Sequence, residues 1–472
     1  MKKLKPLVYV FPVLFTAELV FGFAGTVVMI HGIAIRHILF ILSFLSLYSY
    51  FFYYLLSRKI PIFSTKRDSY FGGFSKMDVC AVVFELSLII WMTVIPYIMG
   101  TSLNLAKSEV FDSAAIFSLY FPIAFLIKKG EFPMKKFQEF LKWLVFAFAV
   151  LHLFFYFGQE YVSNTFINDI FVNIQNLLHG NSITPRVVLG HGGYTRVMFT
   201  TSIYLIVGIY LFLKNNARKW YDYVIFVIEI LAVLATVTKS VWLGIGIAFI
   251  IFAAVSIVYF AVQKNKKGIR NTILISLIVV ATVFISDQTF FNHIFTIRMT
   301  NAFVTSTDEE ESSSKNNGKK SNKTEKEQEL EEIDREGAAE SNSIKIEQIF
   351  VLLDKWTESP IIGFGFGSYV EDYLRSEEAP FSYEMQLFAL LMKQGIVGVA
   401  IWIVFFVVLF VQQVRNRNKY WPDIFAWGFL VLADVICVQT NPLLISFTGM
   451  SVVLYMVLIA VYDTEGKDVK KL

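Results

Sequence analysis

The sequence predicts an all-α polytopic membrane fold with about 12 transmembrane helices, and three observations carry that expectation. Over its 472 residues the chain is 56% hydrophobic and 17% aromatic, with a mean hydropathy of +0.57. Charged residues make up only 17% of the chain, against about 25% in soluble domains, and they fall in clusters. Between the clusters run apolar stretches of the roughly 20 residues that a helix needs to cross a bilayer. This composition excludes a soluble enzyme, a nucleic-acid binder and a secreted disulfide scaffold.

In chain order, the apolar stretches place spans at 7–30, 36–56, 79–99, 110–127, 140–158, 197–213, 221–238, 240–262, 271–287, 383–412, 420–439 and 442–462. The N-terminal MKKLKPLVYVFPVLF has the basic-then-apolar order of a signal peptide. Its apolar run continues to Ile30 without a small-residue cleavage site, which predicts a retained first span. Both cysteines, Cys80 and Cys437, lie inside apolar stretches, so neither a disulfide framework nor a Cys/His metal cluster is expected. The whole chain, 1–472, reads as a single polytopic membrane domain.

Orientation follows from the basic residues, because short cytoplasmic loops retain positive charge. With the N-terminus inside, the inner segments hold 26 Lys and Arg, and the short outer loops hold five: Arg36, Lys107, Arg186, Arg196 and Lys239. Both termini are therefore expected in the cytoplasm. Two outer segments are too long to be mere connectors, 159–196 and 288–382. The second contains a polar tract at 307–340 with twelve acidic and six basic residues and almost nothing to bury. Such a tract predicts a disordered or loosely helical insertion, dispensable for folding.

Chemistry, if present, belongs at the outer loops and the adjoining helix ends. Four cations stand out on this otherwise cation-poor side: Arg186, Arg196, Lys239 and Arg298. Arg186 and Arg196 flank PRVVLGHGGYTR, whose Gly190, Gly192 and Gly193 would let backbone approach a ligand that arginine can bind bidentately. The plainer alternative is a loop anchored to lipid headgroups. Lys239 sits in a very short turn, TKSVWLG, where it can reach an anionic group or simply snorkel. Gly363, Gly365 and Gly367 alternate in SPIIGFGFGSYVEDY, which is not a nucleotide-binding spacing and suits a tightly packed extended segment. An amphipathic helix is then expected from Ser382 to Gln394, broken by Gly395, with Tyr383 and Glu384 at its start. A carboxylate in a first turn also suits the helix dipole, so Glu384 has a structural reading beside the functional one.

Taken together, R-x-x-L-G at Arg186–Gly190, the turn Thr238–Gly244, and P-x-x-G-x-G-x-G before an amphipathic helix and G-x-x-G resemble the O-antigen ligase and polymerase superfamily. The resemblance spans roughly 140–415. It implies a metal-independent bacterial membrane glycosyltransferase, without a cofactor, acting on undecaprenyl-diphosphate-linked glycans at the outer face of the cytoplasmic membrane. The implied partners are the lipid-linked oligosaccharide donor, a glycan acceptor, the bilayer, and a flippase and chain-length regulator. Products of this class include capsule, exopolysaccharide and O-antigen.

The chain departs from the family pattern in three places. Tyr383-Glu384 stands where ligases carry histidine, Lys239 stands where the short turn carries arginine, and Thr195 stands where asparagine often follows R-x-x-L-G. The missing histidine favours a repeat-unit polymerase over a ligase.

In this reading Arg186, Arg298 and Lys239 clamp the diphosphate and Arg196 assists. Gly363, Gly365, Gly367 and Tyr383 contact substrate, and Glu384 serves as base or acceptor orienter, with Arg186 as its catalytic partner. The rival is a lipid-linked glycan flippase, for which Glu18, Glu85, His152, Glu229 and Asp434 are intramembrane candidates. Against it, the glycine- and arginine-bearing elements fall on outer loops.

Overall fold

The structure is a computed structural model. It describes the chain apart from residues 1–3, 22–28, 31–32, 65–68, 164, 167–168, 171–186, 190–193, 216, 304–324, 375, 378, 416–419, 440–441 and 466–472. Helices dominate, as expected, and each stretch read as a span is helical over most of its length. Among the described residues, eight helical stretches are long and apolar enough to cross a membrane, and three shorter apolar helices accompany them. By contact the chain divides into two compact units.

Unit 1 comprises 1–142, 352–427 and 441–472. It begins with α1 (Pro6–Phe21), a two-residue hairpin pair β1 (Met29–Ile30) and β2 (Ile33–Ala34), and α2 (Ile35–Ser57). The expected first span to Ile30 is therefore not one helix throughout, since Met29–Ile30 form β1, and 22–28 lie outside the described residues.

Next come α3 (Lys76–Met99), α4 (Leu103–Ser118) and α5 (Tyr120–Lys128). Ser75 and Asp78 form a reciprocal capping box at the start of α3, and Gly100 in the left-handed region closes its end. Asp78 also receives a 2.8 Å hydrogen bond from the Tyr120 hydroxyl and pairs with Lys128, which ties α3 to α5. In the interior, Phe84 stacks on Phe405 at 4.3 Å between centroids and meets Phe117 edge-on at 4.8 Å. Helix α6 (Met134–Phe157) leads out of this unit.

Unit 2 comprises 143–351 and 428–440. After α6 come one π-helical turn (Gly158–Val162), then the antiparallel pair β3 (Val187–Leu189) and β4 (Thr195–Val197), in which Val188 faces Arg196 in register. Then follow α7 (Tyr204–Lys214), α8 (Trp220–Ala235), α9 (Lys239–Val262), α10 (Lys266–Thr289) and the short α11 (Ile294–Thr300). Gly208 makes room for Glu229: a Cβ there would come within 2.3 Å of its carboxylate.

Helix α12 (Glu325–Thr357) begins in unit 2 and is the main departure from expectation. The second half of the polar tract is part of a 33-residue helix, and Asp334, Ala338 and Ala339 on it are buried. Their spacing of four and five puts them on one face, so a sequence that is polar on average still presents a packing stripe. Within the tract, expected to be disordered or loosely helical, Asp334, Ala338 and Ala339 thus pack onto unit 2. Its first part, 307–324, lies outside the described residues.

The chain ends with α13 (Gln386–Arg415), α14 (Trp421–Val438) and α15 (Phe447–Glu465). Within unit 2, Gly244 of α9 lies against the Ala433 carbonyl and Cys437 of α14, a close approach that only a glycine permits.

Candidate functional site

Helix α13 is broken at Gly395, which has φ 63° and ψ −170°. A break inside a helix leaves carbonyls unpaired on one half-helix and N–H groups on the other, and away from water each must find a partner inside the protein. The glycine segment supplies them. Phe364 and Gly365 donate their N–H groups to the carbonyls of Met392 and Lys393 at 3.1 and 2.7 Å. In return, Ile396 and Val397 donate to Pro360 and Ile361 at 2.9 and 3.1 Å.

This exchange explains the alternating glycines. Gly363, Gly365 and Gly367 have φ of 67°, 85° and 78°, and a Cβ on them would press within 2.6 Å of the Lys393 backbone, Pro96 or the Ala106 backbone. The Gly367 N–H donates to Glu109 at 2.6 Å, and Glu109 forms a buried ion pair with Lys393. Lys393 in turn donates to the Phe381 carbonyl at 2.7 Å. The three glycines pack tightly, as the extended glycine spacing predicted, and close the helix break.

Gly365→Ala is accordingly expected to destabilise by about 2–4 kcal/mol, from left-handed strain plus overpacking. Gly246→Ala, whose Cβ would meet nothing within 4 Å, should be neutral. Thermal unfolding of both variants checks this; equal unfolding temperatures would contradict it.

Tyr383 is fully buried with Leu352, Ala389 and Met392. Its hydroxyl accepts the Val370 N–H at 2.8 Å, and burial pushes its pKa up to about 12. It serves here as a buried hydrogen-bonding post. The helix begins at Gln386 rather than Ser382, so Glu384 precedes α13 instead of sitting in its first turn. Glu384 is half-buried, between Tyr383 and a Gln386 side chain that donates to the Tyr383 carbonyl at 2.8 Å.

Unit 2 gathers the cations that the charge count expected on outer loops. The turn between α8 and α9 carries Val237 with φ 45°, a genuine outlier for a β-branched residue and a kind of strain that clusters at functional sites. Thr238 stabilises the turn by donating to the Thr236 carbonyl at 2.8 Å, and Trp242 fastens the start of α9 by donating to the Val233 carbonyl at 2.8 Å. The turn presents Lys239, half-buried, whose amine donates to the Asn301 carbonyl at 3.3 Å. Arg196, on β4, donates to the Thr238 hydroxyl at 3.3 Å.

Arg298, one turn before Asn301, lies over the Tyr194 ring at 4.9 Å and pairs with Asp334 of α12 at 3.0 Å. The Asn301 amide reaches the Asp334 carboxylate at 3.4 Å and the Glu331 carbonyl at 3.3 Å. The contacts close on themselves: Arg196, Thr238, Lys239, Asn301, Asp334, Arg298, Tyr194 and back along β4 to Arg196. Glu160 buttresses this ring by accepting from the Thr195 hydroxyl at 2.8 Å and the Asn292 amide at 3.3 Å.

Three of the four cations singled out in the sequence are thus brought together. The fourth, Arg186, lies outside the described residues, as do Gly190, Gly192 and Gly193. Sequence reading missed Asp334, Asn301, Thr238, Tyr194 and Glu160. Asn301 follows Arg298 at helical spacing and was findable; Asp334 was hidden by its charged surroundings.

An apolar cavity of about 540 Å³ lies between α8, α9 and α10, with Trp242, Phe249, Val280, Phe295 and Thr296 among its lining. Trp242 is one turn from Lys239, and Phe295–Thr296 lie just before Arg298, so cavity and cations share elements. Asp287 caps α11 through the Phe295 N–H at 2.8 Å and the Thr296 hydroxyl at 2.6 Å.

Of the intramembrane candidates for transport, His152 is fully engaged, between the Phe148 carbonyl and the Ser202 hydroxyl, both at 2.7 Å. Glu85, Glu229 and Asp434 are buried in their own units, and the Glu18 side chain lies outside the described residues. Among the described residues no group of His, Cys, Asp and Glu is arranged to hold a metal.

Fold and site therefore define a multi-pass membrane protein with a cationic site at helix ends. A family model described as O-antigen ligase matches residues 224–403, from within α8 into α13, including Lys239, Arg298, the glycine segment and Glu384. This match supports the resemblance to the O-antigen ligase and polymerase superfamily that the motifs carry, and with it ligation or polymerisation of glycan at a membrane. Comparison with curated proteins and with solved structures finds no match.

Proposed function

We propose that this protein polymerises lipid-diphosphate-linked oligosaccharide repeat units at the outer face of the bacterial cytoplasmic membrane, with both termini inside. The observation that carries the reading is the ring of Arg196, Lys239 and Arg298, two of which sit on helices that also line an apolar cavity at Trp242, Phe295 and Thr296. Such a pairing suits a ligand with an anionic head and a long hydrocarbon tail. Guanidinium and ammonium groups stabilise phosphate oxygens, and an apolar cavity between helices takes isoprenoid chain.

In the proposed step an acceptor sugar hydroxyl attacks the anomeric carbon of the donor. The bond from that carbon to the diphosphate oxygen breaks, and the lipid diphosphate leaves with the electron pair. The cations stabilise the charge growing on the leaving oxygens, which lowers the barrier electrostatically. The hydroxyl proton passes to a carboxylate; Glu384 is the proposed acceptor. Arg186 is proposed as a further ligand of the diphosphate, on the strength of its R-x-x-L-G motif.

The reading is tested by the size distribution of lipid-linked glycan in cells lacking the protein. Loss of long chains with retention of single lipid-linked repeat units on the outer leaflet is expected. Long chains still on the lipid but absent from a final acceptor would indicate ligation instead, and single units on the inner leaflet would indicate transport.

A further inference from the structure

Asp334 is a buried carboxylate in the middle of the proposed anion site, and nothing in the reaction above requires it. Its side chain is 5% exposed and that of its partner Arg298 is 14% exposed. It also takes the Asn301 amide, while the Asn301 carbonyl takes the Lys239 amine, and electrostatically it favours the charged Lys239 that Lys345 opposes. Arg298 spends its Nη1 on Asp334, while its buried Nε has no acceptor among the described residues. A guanidinium stacked on Tyr194, with one donor on a carboxylate and another idle, is built to take more anionic oxygen than Asp334 alone provides.

Resting on the diphosphate reading of the ring, we propose that Asp334 is a resident counter-anion which an incoming ligand must displace, so that it selects diphosphate over monophosphate. The charge balance supports this. One carboxylate between Arg298 and Lys239 leaves the site short of negative charge, so it still attracts anions. An arriving monophosphate either meets the carboxylate as a like charge or replaces it for little gain. A diphosphate brings more charge and more acceptor oxygens, enough to engage Arg298, Lys239 and the idle Nε together, and can replace the carboxylate outright. Asp334 arrives on α12, which meets this site through Asp334–Arg298–Asn301, the Glu331 carbonyl and the Asn342 amide on the Ala302 carbonyl, so displacing the carboxylate removes one of several ties. Asp334 is thus a specificity-determining residue supplied by the long outer segment.

The test uses the purified full-length protein in detergent, with inorganic pyrophosphate and orthophosphate as probes at matched ionic strength, read by the shift in unfolding temperature. In the wild type, pyrophosphate should stabilise at concentrations at least about tenfold lower than orthophosphate. In Asp334→Asn, orthophosphate should bind roughly tenfold more tightly, so that the preference for pyrophosphate shrinks by a similar factor, since a nearby like charge has been removed. An unchanged preference in a folded Asp334→Asn protein would overturn the proposal and leave the diphosphate reading standing.

A second measurement needs no variant. Displacing Asp334 should loosen α12, so pyrophosphate but not orthophosphate should speed trypsin cleavage after Arg335 by roughly threefold or more. Protection or no change there, with pyrophosphate still stabilising the protein, would likewise overturn the displacement. If neither anion stabilises either protein, the diphosphate reading itself fails, and this proposal falls with it.

Discussion

Lys239→Ala is expected to cut glycan polymerisation by about 10²–10³-fold, the usual cost of removing one preorganised donor from a developing charge. Protein abundance should stay normal, because the amine's hydrogen bond is to the Asn301 backbone carbonyl. Truncation therefore leaves no buried side chain charge stranded, and Asp334 keeps its partner Arg298. Lys239→Arg should retain most activity, since the family resemblance puts arginine in this turn and either side chain can reach phosphate. The strained Val237 and the Thr238 bond that hold the turn are untouched in both variants. Chain-length analysis at matched protein level decides the matter. Long glycan in Lys239→Ala cells would remove this residue from the site.

The fold was legible in the sequence wherever a physical signal was local and repetitive. Uninterrupted apolar runs located the helices, and the break at Gly395 was visible because glycine interrupts a run that otherwise continues to Arg415. The clustering of Arg196, Lys239 and Arg298 was legible for a different reason. On a side poor in cations each one had to be accounted for, and helix ends at the same membrane face are the places where they can meet.

What the sequence concealed were effects of tertiary context. Gly363, Gly365 and Gly367 offered closeness without saying to what; ligand and broken helix make the same demand on a backbone. Asp334 lies in a run so acidic that no single carboxylate stands out, and only folding shows which one faces Arg298.

Glu384→Gln is expected to lower polymerisation by about 10²–10⁴-fold if the carboxylate takes the acceptor's proton, since that is what a general base contributes. The amide keeps the shape of the side chain and removes only its basicity. The neighbouring segment is anchored at other points: Lys393 fixes the Phe381 carbonyl, while Val370 and Gln386 fix Tyr383. Donor capture by the cations would survive, so single lipid-linked repeat units should accumulate, and they should do so on the outer leaflet because flipping precedes the blocked step. Transport, by contrast, would leave those units on the cytoplasmic leaflet. A packing role would leave chain length close to wild type, because the residue lies before the first turn of α13 and a dipole contribution there is worth at most about 0.3–1 kcal/mol. One substitution, read by chain length and by the leaflet that holds the single units, therefore separates a catalytic carboxylate from a transport group and from a structural one.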